Sequence, residues 1–233
     1  MLARAKMVEE CNRISGKADE GVGQRSCSCY SSKIVIPIRF VTSAADLSGC
    51  PADEKLEIAL LGRSNAGKSS FINALGGSGK LAQVSSTPGK TRLLNFFEVQ
   101  KDYRLVDMPG YGWSARGGDE HMGFRTMIEA YLSSRANLIG LLLIMDIRRD
   151  WSKDEEELKA WLAPRKLPIV IVLTKADKMS RGESLQRIKA IKKTSGIEHV
   201  VAISSSKKEG LKEFEEVMFR TLLEPHKGPK ETN

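Results

Sequence analysis

A glycine-rich segment in the first third of the chain ends in lysine and serine. It reads Gly-Arg-Ser-Asn-Ala-Gly-Lys-Ser over residues 62–69, which matches the pattern Gly-x4-Gly-Lys-Ser. An apolar run ends just before it at Leu61, and a helix is predicted to begin near Lys68. In this context backbone N–H groups surround phosphate oxygens, the lysine reaches the β and γ phosphates, and Ser69 ligates Mg²⁺. The segment therefore predicts a phosphate-binding loop that works with magnesium.

A second segment with chemical potential is Asp107-Met108-Pro109-Gly110, which follows the apolar run Tyr103–Val106. Open parallel sheets bind ligands at the carboxyl ends of their strands, so this position places Asp107 beside the phosphate loop. We expect Asp107 to hold Mg²⁺ through water and the Gly110 N–H to lie near the γ-phosphate. The same tetrapeptide also occurs as an ordinary turn, and its meaning therefore depends on the phosphate loop upstream.

A third segment, Thr174-Lys175-Ala176-Asp177, directly follows the apolar run Ile169–Leu173. A carboxylate at Asp177 accepts two hydrogen bonds from N1–H and the exocyclic amine of guanine, whereas adenine presents no such pair of donors. The stem of Lys175 is expected to lie along the plane of the base. An isolated segment of this kind is also compatible with a helix cap, but its order after the other two favours guanine recognition.

Two further segments are predicted to contact the nucleotide or its metal ion, and each has an alternative interpretation. A backbone N–H at Ser204 or Ser205, after the last predicted strand, is expected to reach the guanine carbonyl oxygen, although a plain capping turn explains these serines equally well. Thr91 lies between the phosphate loop and Asp107, the interval in which a mobile loop delivers a second hydroxyl to magnesium. Thr87 is the competitor for this role, and Thr91 is preferred.

Short apolar runs alternate with amphipathic stretches through the rest of the chain. Five runs have the length of buried parallel strands, at Leu56–Leu61, Tyr103–Val106, Leu138–Met145, Ile169–Leu173 and His199–Ile203. The run Leu93–Val99 lies close to the next one and predicts an antiparallel hairpin. The pattern predicts an α/β fold with a mostly parallel sheet, one antiparallel strand and helices on both faces.

Three Ser-x-x-Glu pairs predict helix starts. They are Ser152 with Glu155, Ser180 with Glu183, and Ser206 with Glu209. Apolar residues at helical spacing predict two stripes that face the core, one formed by Leu158, Trp161 and Leu162 and the other by Leu211, Phe214, Val217, Met218 and Leu222.

The bulk composition limits the class of protein. Among 233 residues, 37 basic and 29 acidic side chains give a net charge of +8, which favours polyanionic partners without choosing among them. The longest apolar run, Leu138–Met145, is far shorter than the roughly 20 residues that cross a bilayer. We expect no membrane span, a cytoplasmic protein and a monomer. Cys11, Cys27, Cys29 and Cys50 all precede the predicted core, lack zinc spacing and are expected to be reduced and incidental.

The motifs taken together resemble the EngB family, also called YihA or YsxC, of bacterial ribosome-biogenesis GTPases. The matching segments are residues 62–70, 87–91, 107–112, 174–178 and 204–210. The resemblance implies a Ras-like P-loop GTPase fold, binding of GTP and GDP with Mg²⁺, slow hydrolysis, and association with the large ribosomal subunit or its precursor through rRNA and ribosomal proteins. Residues 34–224 would form the G domain, before a flexible tail at 225–233. Residues 1–33 are rich in Ser, Gly, Lys and Cys without helical or strand periodicity, which predicts a disordered extension, and a mis-assigned start codon is equally compatible.

The motifs and the resemblance give these expected site residues. Nucleotide contacts are assigned to Gly62, Arg63, Ser64, Asn65, Ala66, Gly67, Lys68, Ser69, Ser70, Gly89, Thr91, Asp107, Gly110, Thr174, Lys175, Asp177, Ile203, Ser204 and Ser205. Metal ligands are assigned to Ser69, Thr91 and Asp107, and roles in hydrolysis to Asn65, Lys68, Thr91 and Gly110. Thr174 stands where most GTPases carry Asn, and the family is similar there.

Hydrolysis and partner binding have their own candidate residues. Tyr111 follows Gly110 where a glutamine would orient water, so slow hydrolysis is expected. The resemblance implies that Asn65 coordinates a potassium ion in place of an arginine finger. Basic residues that either contact rRNA phosphates or form a solvated face are Arg181, Arg187, Lys189, Lys192, Lys193, Lys207 and Lys208, while Trp113 and Arg116 are placed to report the nucleotide state. The alternative is a phosphotransferase or hydrolase for a small metabolite, which the short segment after Asp107 disfavours.

Overall fold

Seven strands and five α-helices form the fold in the part of the chain that is described. The computed structural model describes residues 36–77, 81–82, 93–110 and 119–226, all within one compact unit, Ile34–Asn233. The strands are β1 Ile38–Ala44, β2 Leu56–Gly62, β3 Leu94–Val99, β4 Tyr103–Asp107, β5 Leu138–Asp146, β6 Ile169–Thr174 and β7 Val200–Ala202. The helices are α1 Lys68–Leu75, α2 Asp119–Ser134, α3 Lys153–Leu162, α4 Arg181–Ser195 and α5 Leu211–Met218, the last continued by a π-helical turn, Phe219–Leu223.

The strands form one sheet in the order β1-β3-β4-β2-β5-β6-β7. Strand β3 is antiparallel to both β1 and β4, and every other neighbouring pair is parallel. Only β3 therefore runs against the rest, which confirms the predicted α/β fold with its β3–β4 hairpin. The sequence analysis did not predict β1, an edge strand whose residues are mostly half-buried or exposed and whose register shifts between Phe40 and Thr42.

Both faces of the sheet are covered by helices. Side chains alternate across β2, so Ile58 and Leu60 pack with α1 and α5, whereas Ala59 and Leu61 pack with α2, α3 and α4. All four of these side chains are at most 1% exposed. Because both faces of the central strands are buried, their sequences are continuous apolar runs, and this is the reason that they were found from sequence. Both predicted apolar helix stripes pack into these two cores.

Two of the three predicted capping boxes are present and the third is wrong. Ser152 and Ser180 begin α3 and α4, each with the glutamate three residues later reaching back to the serine N–H. Glu209 instead forms an antiparallel bridge with Ser204, and α5 begins at Leu211. Gly210 caps this helix with φ +76°, and a Cβ there would lie 2.2 Å from the Ala202 carbonyl oxygen. The tight turn after β7 leaves no room for the predicted box.

One cysteine prediction is also corrected. Cys50 is 9% exposed and belongs to the buried core on the α2 side of the sheet, so this residue is part of the fold and does not precede it. Cys11, Cys27 and Cys29 lie outside the described residues. The same holds for the predicted extension at 1–33 and for residues 227–233 of the tail, and Glu224–His226 form a short 3₁₀ turn. None of the helices in the described ranges combines the length and apolarity that crossing a bilayer requires.

At the amino ends of the parallel strands, a buried carboxylate ties α2 to the sheet. Glu57 is fully buried, and its side chain accepts hydrogen bonds from the Tyr131 hydroxyl at 2.6 Å and from the Arg135 guanidinium at 2.7 and 2.8 Å. A charged fork and a phenol together satisfy the carboxylate, which makes its burial tolerable. The carboxyl-terminal end of α2 is thereby fixed to β2.

Candidate nucleotide-binding site

The carboxyl ends of β2, β4, β5, β6 and β7 lie together at one edge of the sheet. Cross-strand partners at this edge include Leu60 with Asp107 and Asp146 with Thr174. Ligands of open parallel sheets bind outside such strand ends, where loops leave the sheet. The structure therefore brings the phosphate loop, the Asp107 segment and the Thr174 segment to a single place.

The loop between β2 and α1 has the backbone of an anion-binding turn. Asn65 and Gly67 both have positive φ, +63° and +95°, and α1 begins at Lys68 directly after them. Ser69 and Ser70 occupy the first turn of this helix. Amide dipoles at a helix start favour a negatively charged ligand, and alternating αR and αL residues turn successive N–H groups toward one point. The local conformation suits phosphate oxygens.

Lys68 and Asp107 place opposite charges next to this loop. The Lys68 ammonium donates to the Gly62 carbonyl at 3.2 Å, and desolvation lowers its pKa while the charge of Asp107 opposes that shift. Burial raises the pKa of Asp107 to about 6, and one of its carboxylate oxygens has no hydrogen-bond partner among the described residues. An unpaired buried carboxylate oxygen suits a hard cation, because Mg²⁺ takes oxygen ligands.

Gly110 lies directly against the phosphate loop. A Cβ at this position would be 2.9 Å from the Ser64 amide nitrogen, so only glycine allows this approach of the two backbones. The preceding loop residue, Arg63, forms a 2.8 Å ion pair with Asp154 in the first turn of α3. The segment after β4 and the helix α3 are thus both in contact with the loop.

The proposed base-reading carboxylate is held by a neighbouring hydroxyl. The Ser204 side chain is fully buried and donates to Asp177 at 2.8 Å, and this hydrogen bond is the main reason that the pKa of Asp177 lies below its ordinary value. Lys178 adds a weaker contact at 3.6 Å. Asp177 is therefore a fixed, ionised acceptor at the edge of the site.

The backbone groups expected to reach the guanine carbonyl are partly engaged. The Ser204 N–H donates to the Glu209 carbonyl at 3.0 Å, and both backbone groups of Ile203 bond to β6 and to the turn after it. The hydroxyl of Ser205 is buried without a partner among the described residues. In this conformation the amide of Ser205 is therefore a better candidate for that contact than the amide of Ser204.

Thr174 joins the base segment to the phosphate loop. Its buried hydroxyl lies 2.6 Å from the Ala66 carbonyl oxygen and 3.0 Å from the Met145 carbonyl oxygen. A hydroxyl has a single proton to donate, so it is shared between two backbone acceptors. The Thr174 hydroxyl therefore joins the phosphate loop to the end of β6 through the Ala66 carbonyl.

Asp146 is a site residue that the sequence analysis missed. It ends β5, is 5% exposed, and contacts both the Arg148 guanidinium at 2.6 Å and the Lys175 ammonium at 2.9 Å. The Lys175 ammonium also donates to the Asn65 carbonyl at 2.9 Å. The available signal was a carboxylate at the end of an apolar strand, which is the same signal that identified Asp107.

Several predicted site residues lie outside the described ranges. These are Gly89 and Thr91, the competitor Thr87, the residue Tyr111 after Gly110, and the candidates Trp113 and Arg116. Their assignments stay predictions. The described residues by themselves combine a phosphate loop, a buried carboxylate suited to a metal ion and a fixed acceptor suited to a base on a mostly parallel sheet, and this combination is typical of a P-loop GTPase domain.

Comparison with known proteins agrees with this class. Residues 57–175 match the family described as 50S ribosome-binding GTPase. A probable GTP-binding protein EngB from Bdellovibrio bacteriovorus is 53% identical over 186 residues, which cover 80% of this chain and 92% of the relative. The EngB protein from Methylococcus capsulatus is 40% identical, with 84% and 96% covered. The chain belongs to the EngB family of GTP-binding proteins.

Solved structures support the fold. A crystal structure of a probable EngB protein matches with a TM-score of 0.57 at 21% identity and covers 70% of this chain and 97% of that one. Era from Aquifex aeolicus, bound to GDP·AlF₄⁻, matches with a TM-score of 0.61 at 23% identity, over 76% of this chain and 59% of Era. The Ras-like P-loop GTPase fold is thereby confirmed.

Substitution of Asp107 is expected to stabilise the nucleotide-free fold and to weaken binding of the metal ion. The pKa of Asp107 is higher in the folded chain than the ordinary value of 3.8, so its ionisation destabilises the fold as the pH rises through about 6. Asp107→Asn should stabilise the nucleotide-free protein by about 2 to 3 kcal/mol at about pH 8 and less toward about pH 5. It should also weaken Mg²⁺-dependent GTP binding. Thermal melting and calorimetry measure the two effects. A lower melting temperature at about pH 8 would contradict the raised pKa, and unchanged Mg²⁺-dependent binding would contradict the metal role.

Proposed function

We propose that the protein is a GTP-binding switch that hydrolyses GTP slowly with Mg²⁺ and acts in assembly of the large ribosomal subunit. The observation that carries the guanine assignment is the geometry of Asp177, an ionised acceptor fixed by Ser204 at 2.8 Å on the same sheet edge as the phosphate loop. Guanine offers two adjacent donors to such a carboxylate and adenine offers none. Base selection in this proposal therefore depends on one side chain.

The phosphates and the metal ion would be held by the loop and its neighbours. Lys68 and the amides at the start of α1 bind phosphate oxygens, and Ser69 and Asp107 are the described residues that would hold Mg²⁺. The metal ion, when bound, neutralises charge that develops on the phosphates. Thr91 is proposed as a further ligand, supplied by the segment between α1 and β3.

The switch itself would use the contact between Gly110 and the phosphate loop. The backbone of Gly110 already lies beside Ser64, so a γ-phosphate held by the loop is within reach of the segment that begins at this glycine. A ligand shifts an equilibrium only by its differential interaction with the two states, typically about 1 to 3 kcal/mol. A partner would therefore bind the GTP form roughly 5 to 150 times more tightly than the GDP form.

Asp177→Asn tests base selection. The amide donates where the carboxylate accepts, so it opposes the exocyclic amine of guanine and matches the oxygen that xanthine carries at that position. We expect GDP affinity to fall roughly a hundredfold and XDP affinity to rise, measured by calorimetry with Mg²⁺. Asp150→Asn, at an exposed carboxylate that pairs with Arg187, is the matched control and should change neither affinity. Equal affinity of the unmodified protein for ADP and GDP would refute the proposal.

A potassium ion is proposed as an activator of hydrolysis, held by Asn65. This residue is exposed on the phosphate loop with φ +63°, and its side chain is a neutral oxygen ligand. With Tyr111 in place of a water-orienting glutamine, the rate without such a cation should be low. Single-turnover hydrolysis should be faster in potassium chloride than in sodium chloride, and Asn65→Ala should remove the difference. Equal rates in both salts, with and without ribosomal particles, would exclude the ion.

Two observations support a ribosomal partner: the description of the matching family and the basic charge of α4. The matching family is described as 50S ribosome-binding, and α4 carries five basic side chains against one acidic side chain, Glu183. Arg187 pairs with Asp150 and is excluded from the proposed surface. Lys189 and Lys193 are exposed one helical turn apart and can contact successive phosphates of RNA. Such a partner places the protein in the cytoplasm.

Sedimentation with ribosomal subunits tests this partner. The protein should comigrate with large subunits more strongly with a non-hydrolysable GTP analogue than with GDP. Each lost phosphate contact lowers the magnitude of the slope of log affinity against log salt by about 0.7 to 0.9, so Lys189→Ala with Lys193→Ala should lower it by about 1.4 to 1.8. Lys153→Ala, at an exposed lysine of α3, is the control. Absence of comigration with large subunits would refute the partner, comigration that is equal with GDP and the GTP analogue would refute the switch, and an unchanged slope would refute the surface.

A further inference from the structure

A carboxylate that no predicted motif contains lies between the base segment and the phosphate loop. Asp146 is the last residue of β5 and pairs in register with Thr174, the last residue of β6. It is 5% exposed although it carries a charge. Charged side chains are seldom buried unless their partners satisfy them, so the contacts of Asp146 indicate what holds it there.

Two cations satisfy this carboxylate from different sides. Arg148 binds it as a fork, with Nε 2.9 Å from Oδ1 and Nη2 2.6 Å from Oδ2. The Lys175 ammonium lies 2.9 Å from Oδ2. Because of these contacts, that of Arg148 first, the pKa of Asp146 lies well below its usual range. The carboxylate is therefore ionised whenever the protein is folded at neutral pH.

The second partner of Lys175 extends this contact to the phosphate loop. The same ammonium donates to the Asn65 carbonyl at 2.9 Å, and Lys175 itself has the left-handed conformation with φ +60°. An ammonium has three protons and no acceptor, so one lysine can join two oxygens. The chain of contacts Asp146, Lys175, Asn65 thus runs from the end of β5 to a loop residue with φ +63°.

We propose that Asp146 is a positioning residue for nucleotide binding, and that it acts through Lys175. By holding the ammonium, it fixes the lysine stem along the edge where the base is expected and fixes the Asn65 carbonyl in the loop that binds phosphate. A free lysine side chain has many rotamers, and this contact restricts them before the nucleotide arrives, so less conformational entropy is lost on binding. The inference rests on the proposed guanine-nucleotide function.

Asp146→Asn is the variant that tests this role. The amide has nearly the same size, but it loses the charge, and its NH₂ group must face either Arg148 or Lys175, both of which are donors. We expect the Kd for GDP to rise roughly ten- to thirtyfold, mainly through faster dissociation. Stopped-flow release of a fluorescent GDP measures this directly. Asp150→Asn, the same substitution at an exposed carboxylate on the other side of the turn, should leave the release rate unchanged.

A double-mutant cycle distinguishes positioning from a purely structural role. Lys175→Met keeps an unbranched stem and removes the ammonium. If Asp146 acts through Lys175, adding Asp146→Asn to Lys175→Met should change GDP release by less than about twofold. Thermal melting of the nucleotide-free variants shows separately how far each substitution affects folding. A structural role would instead give the same effect of Asp146→Asn in both backgrounds.

The outcomes for this inference and for the proposed function are distinct. If the unmodified protein fails to prefer GDP over ADP, the proposed function itself is wrong. If the unmodified protein prefers GDP but Asp146→Asn releases it at the unmodified rate, the positioning role is overturned while guanine binding stands. Additive effects of the two substitutions would overturn it equally.

Discussion

The site depends on two desolvated charges, the ammonium of Lys68 and the carboxylate of Asp107. The charges of Lys68 and Asp107 attract one another without a direct ion pair among the described contacts, and desolvation shifts the pKa of each toward the neutral form. Such an arrangement costs free energy in the unliganded fold, because neither charge is fully compensated. A phosphate group and a divalent cation are the complementary charges that would compensate both. Strand β4 holds Asp107 next to β2, because the two strands pair in parallel as far as Leu60 and Asp107, and Lys68 follows β2 at the start of α1.

The segment proposed to recognise the base is joined to the phosphate loop by hydrogen bonds in this fold. Thr174 contacts the Ala66 carbonyl, and Lys175 contacts the Asn65 carbonyl. Two consecutive residues of the base segment therefore hold two consecutive residues of the phosphate loop. A hydrogen bond from a charged donor contributes about 1.5 to 3 kcal/mol and one between neutral groups about 0.5 to 1.5 kcal/mol. Loss of either hydrogen bond would therefore change the position of both the base segment and the phosphate loop.

Sequence patterns predicted the elements whose side chains are buried in a regular pattern along their length. The central strands appear as apolar runs because both of their faces are buried, and two serine boxes begin helices as expected. Strand β1 was missed because an edge strand with exposed residues such as Phe40, at 49%, has no continuous apolar run. The box at Ser206 was wrong because Glu209 pairs with Ser204 across a tight turn, a tertiary contact that spacing alone does not reveal.

The site residues were predictable where a sequence motif follows a strand. They were harder to predict where the site depends on contacts between side chains that are distant in sequence. The phosphate loop and Asp177 follow recognisable patterns, and the structure places both at the edge that the strand order requires. Asp146 was missed because its significance depends on Lys175, a residue 29 positions away that only the adjacent strand brings near. The support of Asp177 by Ser204 depends likewise on two strand ends that meet in space.

The buried Glu57 has a consequence for the helix that follows the Gly110 segment. Because Tyr131 and Arg135 bind this carboxylate, the far end of α2 is anchored to the sheet while its near end follows residues 111–118. Sliding of α2 along the sheet would break these hydrogen bonds and leave a buried carboxylate without its partners, which is costly. The contacts of Glu57 therefore fix the position of α2 along its own axis.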